Sequence, residues 1–300
     1  MALPQELPGT PAMYEGFDYR AFWRDPGRRH LDRLEHRVVA ELLPARGRRV
    51  VDVGCGFGRL TDAYVDRFEE VVLVDAAWSL LEQARDRWAR FGVTLVAADI
   101  RALPFSPSAF DAAVMVRVLH HMEDPVDGLL AVRPILVAGG RLVANASNRR
   151  NAARIARYAV LRRGPSPFGR GVIRYGPLSF GWHPKDFEDM LEASGLRPLA
   201  WRGVGVLDKV VARWPRLAST VPPGAALARS FGHVRVAPSL FCSAVRDGGE
   251  DARADDPFAC PRCRGALGRT PAGRACGRCR RVFPERDGIL DLRVSRFGQE

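Results

Sequence analysis

Lysine is almost missing from this chain: Lys185 and Lys209 stand against 44 arginines. Such a bias makes the net charge of +12 partly compositional, so it does not by itself assign a nucleic-acid partner. Cysteine is also scarce. Of six cysteines in 300 residues, four are clustered within 260–279. That pattern excludes a disulfide scaffold and suits a reducing compartment with one metal site. No apolar run reaches the roughly 18–20 residues that a membrane helix needs. The opening MALPQELPGT has neither a basic n-region nor an apolar h-region, so no signal peptide is expected and the location is read as cytoplasmic. No internal repeat is found.

What is present is core material. Hydrophobic residues make up 47% of the chain, enough for one large α/β domain with a small appendage. The positive charge is concentrated. Residues 147–182 hold eight arginines and no acid, and residues 258–292 hold eight arginines and three acids, so everything else sums to −1. A basic patch of this kind can attract nucleic acid, anionic lipid or an acidic metabolite.

After an irregular lead-in over 1–27, Leu31, Leu34, Val38 and Leu42 recur at helical spacing up to Pro44. Apolar strands and helices then alternate. Strands are expected at Val50–Val53, Val71–Val74, Val93–Ala98, Ala112–Val116 and Arg141–Ala144. Helices are expected near Arg59–Arg67, from Leu81 to the stop at Gly92, at Pro125–Leu136 and at Pro184–Ser194. Two more strands are expected near Arg197–Val204 and Ser239–Val245. Alternation of this type implies a parallel sheet covered on both faces. The divisions are 1–47 as lead-in and helix, 48–245 as the main domain with a basic, aromatic insert at 147–182, 246–257 as a polar linker, and 258–292 as the appendage.

The first strand runs into Asp52-Val53-Gly54-Cys55-Gly56-Phe57-Gly58. Glycines there permit φ > 0 and a close backbone approach to a ligand. A dinucleotide fingerprint would place its third glycine at position 59, which is Arg59. Asp75 ends the second strand, where a carboxylate can accept from both hydroxyls of a ribose. Asp99 ends the third, where it can accept from an adenine amino group. Each acid alone fits a cap or turn equally well. Together they sit at successive strand ends, the edge at which open α/β sheets bind ligands.

VDVGCGFG, VVLVDA, AADIRALPFSPSAFDAAV, LHHMEDP and VAGGRLVA resemble successive motifs of the class I S-adenosylmethionine-dependent methyltransferases, chiefly the UbiE-like and type 11 enzymes. The resemblance covers 48–146 and extends in weaker form over 147–245. It implies a Rossmann-like seven-stranded sheet with helices on both faces. It also implies that Asp52, Gly54, Gly56 and Gly58 face the methionine end of the cofactor, that Asp75 holds the ribose, and that Asp99 and Ile100 frame the adenine. The proline common before Gly139-Gly140 in that family is Ala138 here.

Methyl transfer is an in-line displacement that needs alignment, and a base only if the acceptor must lose a proton. His121, or its neighbour His120, is the candidate base; packing and loop capping are the structural alternatives. Arg117 either points into the cleft or forms a structural ion pair. In the insert, Tyr158, Phe168, Tyr175, Phe180 and Trp182 with the arginines suit an amphipathic or anionic acceptor, or RNA, or a solvated lid. His183 before Pro184 reads as a helix start, and Cys55 and Cys242 as small core or turn residues.

Cys260, Cys263, Cys276 and Cys279 form C-x2-C-x12-C-x2-C, which brings four sulfurs round one structural zinc ion. The segment resembles a Trm112-like zinc ribbon. Members of that family dock on and stabilise methyltransferases, so the ribbon is expected to pack on its own catalytic domain; the rival reading is an independent RNA-binding knuckle. The readings that stand are an S-adenosylmethionine-dependent methyltransferase with a small-molecule or lipid-like acceptor, one acting on RNA or protein, and a non-catalytic binding or scaffold module.

Overall fold

Val50, Val51 and Val53 are β-branched and wholly buried, and such residues favour extended chain in a sheet covered on both sides. They lie in β1 (Gly47–Val53). The computed structural model describes residues 14–16, 18–122, 124–176, 179–206, 229–230, 232–249 and 252–294. The other strands of the main sheet are β2 (Phe68–Asp75), β3 (Thr94–Ala97), β4 (Phe110–Met115), β5 (Leu136–Ser147), β8 (Leu196–Val204) and β9 (Ser239–Arg246). A small pair, β6 (Ile173–Gly176) and β7 (Ser179–Gly181), stands apart. The C-terminal strands are β10 (Leu267–Thr270), β11 (Gly273–Cys276), β12 (Val282–Arg286) and β13 (Ile289–Asp291).

One sheet carries all but the small pair, in the order β10-β11-β12-β13-β3-β2-β1-β4-β5-β9-β8. Pairing is parallel from β13 through β5 and antiparallel at β9 and β8. The chain leaves β1 in one direction for β2 and β3, then returns to its other side for β4 and β5. Such a reversal opens a crevice at the carboxyl end of β1.

Alternation along each strand separates two cores. Val51, Val53, Val72, Val74, Ala113 and Met115 face one side, with Leu129, Val132, Phe187 and Leu191 from helices α4 (Pro125–Val132) and α6 (Pro184–Ala193). Val50, Val71, Leu73, Ala112 and Val114 face the other, against α2 (Pro26–Leu42) and α3 (Trp78–Trp88). A helical turn α1 (Tyr19–Phe22) precedes α2, and α5 (Ala152–Leu161) follows β5. Gly92 ends the α3 region in the left-handed conformation, and His183 caps α6 with a capping box to Asp186.

Two features differ from the sequence expectation. No α-helix forms at 59–67; only a 3₁₀ turn, Thr61–Ala63, is present. Leu60, Thr61, Ala63 and Tyr64 are all buried, and the Tyr64 hydroxyl reaches back to Asp52, so the segment is folded inward rather than coiled along one face. The sheet also does not stop at seven strands. β13 extends it beside β3, with Leu290 opposite Val96.

The junction is apolar and hydrogen-bonded. Phe258 packs on Phe105, ring centroids 5.6 Å apart, and Phe105 packs on Phe110. The main chain adds Ser106 N–H to Pro257 O at 2.8 Å, Ala259 N–H to Pro104 O at 2.9 Å and Leu292 N–H to Ala97 O at 2.9 Å. Arg49 donates to the carbonyls of Ala254 and Asp255, both at 2.6 Å, and Arg253 pairs with Asp111.

Phe258 is 5% exposed. Phe258→Ala should therefore lower the unfolding free energy by about 3–5 kcal/mol, read as a shift of the urea midpoint. A loss below about 1 kcal/mol would mean that the aromatic junction contributes only surface contact.

Candidate functional site

The turn after β1 is set by three glycines with φ of 76° at Gly54, 57° at Gly56 and 68° at Gly58. A side chain at Gly54 would meet Val118 at 2.4 Å, and one at Gly58 would meet Trp88 at 2.6 Å. Both positions therefore exclude other residues on space as well as on conformation. The turn is tied to β2: Gly54 and Cys55 donate to the Val74 carbonyl at 2.8 and 3.0 Å, and Gly56 donates to Asp75 Oδ2 at 2.8 Å. Trp88 Nε1 donates to the Gly58 carbonyl at 2.8 Å. With no α-helix behind it, the turn presents its own main chain rather than a helix start.

Asp75 accepts a second bond at Oδ1, from Ala77 N–H at 2.9 Å. Each oxygen keeps acceptor capacity beyond these bonds. Burial pushes its pKa up against the pull of those backbone donors. Asp52 lies in β1, 3% exposed, and accepts from the Tyr64 hydroxyl at 2.5 Å. Burial raises its pKa to about 7; the Tyr64 bond and the charge of Arg59 oppose the rise, and the charge of Asp75 adds to it.

Asp99 and Ile100 stand at the end of β3. Asp99 caps the short turn Ile100–Ala102 through Arg101 N–H and takes the Arg101 guanidinium at 2.7 Å, while Ile100 packs against the core. Its carboxylate therefore carries a basic neighbour that the sequence reading did not place there.

His120 and His121 follow β4 in the turn Leu119–His121, ring centroids 3.9 Å apart. His121 Nε2 is 3.0 Å from the Tyr14 hydroxyl. The Nδ1 of His120 is buried with no hydrogen-bond partner among the described residues. Burial, with the charges of His121 and Arg117 adding, holds the His120 pKa well below the usual histidine value, so the ring is neutral at pH 7.

Arg117 does not reach into the cleft. It takes φ of 62° just beyond β4 and pairs with Glu35 at 2.6 Å. Arg59 meets the same carboxylate at 2.6 Å, and both guanidiniums lie over the Trp23 ring, at 4.8 and 3.9 Å. Glu35 has no exposed surface, and despite the burial cost these two arginines hold its pKa down.

The lead-in was read as irregular, yet its described part closes over the turn. Glu15 accepts from the N–H groups of Trp78 and Ser79 at 2.7 and 3.0 Å, at the start of α3. Tyr14 stacks on Tyr19 at 5.1 Å, and the Tyr19 ring is the group nearest the open side of Gly56. The dense aromatics in Tyr14, Tyr19, Phe22 and Trp23 were the available signal. In the insert, Phe180 and Trp182 are core residues, whereas Phe168 and Tyr175 are exposed. Cys55 and Cys242 are buried thiols whose pKa values burial raises.

In the C-terminal segment the sulfurs of Cys260, Cys263, Cys276 and Cys279 lie within 4.8 Å of one another. Two of the pairs are at 3.7 and 3.4 Å, close to the spacing of about 3.8 Å that tetrahedral thiolates at zinc would have. The two knuckles are alike: Arg264 and Arg280, each after its second cysteine, take φ of 61° and 58° and donate back to the carbonyls of Cys260 and Cys276. The Arg264 guanidinium donates to Leu103 O at 2.7 Å and to Phe105 O, in the loop that follows Asp99. No helix among the described residues is long and apolar enough to cross a membrane.

A family model described as a methyltransferase domain matches residues 51–144. The chain is 31% identical over 141 residues to O-methyltransferase cnsE of Penicillium expansum, an alignment covering 44% of this chain and 51% of that protein. It is 30% identical over 174 residues to a ubiquinone biosynthesis O-methyltransferase of Xylella fastidiosa, covering 55% of this chain and 70% of that protein. Among solved structures, an S-adenosylmethionine-dependent methyltransferase from Mesorhizobium loti shares the fold at a TM-score of 0.54 and 23% identity, covering 71% of this chain and 98% of that one. A complex containing the Haloferax volcanii Trm112 methyltransferase activator gives 0.55 at 17% identity, covering 78% and 98%. With the glycine turn at the carboxyl edge of a Rossmann-like sheet, these matches establish that the chain belongs to the class I S-adenosylmethionine-dependent methyltransferases.

Proposed function

We propose that the chain methylates an oxygen of a small or lipid-like acceptor, with S-adenosylmethionine held over the 54–58 turn and zinc held by the four cysteines. The observation that carries the reading is the Gly56 N–H to Asp75 bond. It sets a left-handed glycine turn and a carboxylate side by side at the reversal point of the sheet. The oxygen acceptor is supported by the names of the two curated relatives.

When bound, the cofactor supplies an electrophilic methyl group on a sulfonium. In this account Asp75 accepts from the ribose hydroxyls, Asp52 faces the methionine ammonium, and Asp99 with Ile100 borders the adenine. Gly54, Gly56 and Gly58 let the main chain approach without side chains in the way. His121 takes the proton from the acceptor hydroxyl, its ring oriented by the Tyr14 phenol. His120 stays neutral alongside. The described residues of the lead-in, Tyr14 and Tyr19 among them, exclude water from the reacting atoms.

The ribbon is proposed to stabilise the catalytic domain. Its Arg264 braces the loop from Asp99 to Phe105, and β13 pairs with β3, so zinc at the cysteines would fix one wall of the cofactor site. The related fold found with a Trm112 activator supports that reading.

Asp75→Ala should weaken S-adenosylmethionine binding about tenfold or more, because a charged hydrogen bond contributes roughly 1.5–3 kcal/mol. Unchanged affinity by calorimetry would remove Asp75 from the site.

Asp52 supplies a pH test. Its folded pKa lies above the unfolded value, so the free protein binds an extra proton in the fold and loses stability as pH rises from the usual carboxylate range towards 7. Cofactor affinity runs the other way, since only the ionised carboxylate attracts an ammonium. Affinity should fall as pH drops below about 7, and Asp52→Asn should flatten that dependence. A wild-type affinity independent of pH between about 5.5 and 8 would contradict the assignment.

The acceptor class is tested by transfer of radiolabelled methyl into a host extract separated into organic-soluble, RNA and protein fractions. Label in the organic-soluble fraction is expected. Label in RNA or protein would overturn the acceptor reading and make the basic segments a macromolecular docking surface.

A further inference from the structure

Helix α5 is turned the wrong way for a helix in water. Its half-buried residues are Arg154, Ile155 and Tyr158. The opposite face carries Ala153, Ala156 and Val160, with Arg157 at its edge, where a surface helix normally shows polar groups. Val160 is 80% exposed and the next residue, Leu161, 52%. Phe168 and Val172 are more than half exposed in the chain that follows. These segments form one unit. Arg149 donates to the carbonyls of Ser166, Arg170 and Gly171 from the start of α5, and the Arg154 guanidinium lies 4.3 Å from the Tyr175 ring of β6.

The charge around this apolar surface has one sign. Arg157, Arg162 and Arg163 are exposed and have no acidic partner among the described residues, and no acid occurs anywhere in 147–182. Arg170, by contrast, is paired with Asp186 and Asp189 and is not available.

We propose that α5 and residues 161–175 dock on an anionic lipid surface. Exposed aliphatic side chains enter the boundary between headgroups and acyl chains, and the flanking guanidiniums meet phosphate. The aliphatic residues decide between partners. RNA would engage the arginines, but Ala153, Ala156, Val160 and Leu161 offer neither a stacking face nor a hydrogen bond to a base. A second copy of the chain would place arginine against arginine. The inference goes beyond the proposed reaction: it concerns where the protein rests, and it holds whatever the acceptor.

The test is cosedimentation of the full, zinc-loaded chain with vesicles of phosphatidylcholine alone or mixed with phosphatidylglycerol. Two variants accompany it, Val160→Asp with Leu161→Asp, and Arg157→Glu with Arg163→Glu. All four positions are exposed, so thermal midpoint and S-adenosylmethionine affinity should match wild type. Wild type should bind the mixed vesicles and not the neutral ones, and each variant should bind at least about tenfold more weakly. Wild type left in the supernatant, or an aspartate variant that binds like wild type, would overturn the proposal. So would fluorescence anisotropy with single-stranded RNA showing tight binding that the arginine variant loses and the aspartate variant keeps, if vesicle binding is absent. Because the readout is sedimentation, failure here leaves the methyl-transfer result standing, and the reverse also holds.

Discussion

The site depends on one constraint: three residues in the left-handed region must be placed where β1 ends, with almost no room for side chains. Gly54 is confined by Val118 from the turn after β4, and Gly58 by Trp88 from α3. The turn is thus shaped by elements on both sides of β1. It can form only when the parallel order β2-β1-β4 is complete. The carbonyl of Val74 and the carboxylate of Asp75 then hold it from the neighbouring strand. The glycine turn and the sheet topology are in this sense the same structural event.

The second organising feature is the burial of Glu35. A carboxylate with no exposed surface is costly unless it is paired. Here Arg59 from the segment after the glycine turn and Arg117 from the chain after β4 converge on it, with the Trp23 ring lying under both guanidiniums. One helix, the segment after the glycine turn and the chain between β4 and the histidines are tied to a common carboxylate. Arg117 takes this place with a positive φ, three residues before His120.

Local sequence signals carried much of this. Continuous runs such as Val50–Val53 and Val71–Val74 mark strands buried on both faces, and Pro184 with Gly195 marks the ends of α6. The glycine and aspartate spacing marks the strand ends at which the sheet reverses its order. What stayed hidden was long-range. Glu35 and Arg117 are 82 residues apart, and neither one announces the other. The segment 59–67 is expected as a helix, but Leu60, Ala63 and Tyr64 are all buried and only a 3₁₀ turn forms. Phe180 and Trp182 looked like an aromatic cover because they lie among arginines, yet β7 carries them into the core. Tyr14 and Glu15 fell in a stretch without periodicity, and only their bonds to His121 and to the start of α3 give them meaning.

The C-terminal segment shares its apolar residues with the larger core: Phe258, Phe283, Leu290 and Leu292 belong to the cluster that includes Val96 and Phe105. A unit of that size has little core of its own, and its strand β13 extends the main sheet beside β3. The most direct test of the whole account is calorimetric titration of the zinc-loaded chain with S-adenosylmethionine. The account predicts saturable binding at one site per chain, displaced by S-adenosylhomocysteine. No binding in protein shown to be folded and metal-loaded would contradict it, and would leave the fold a scaffold without its reaction.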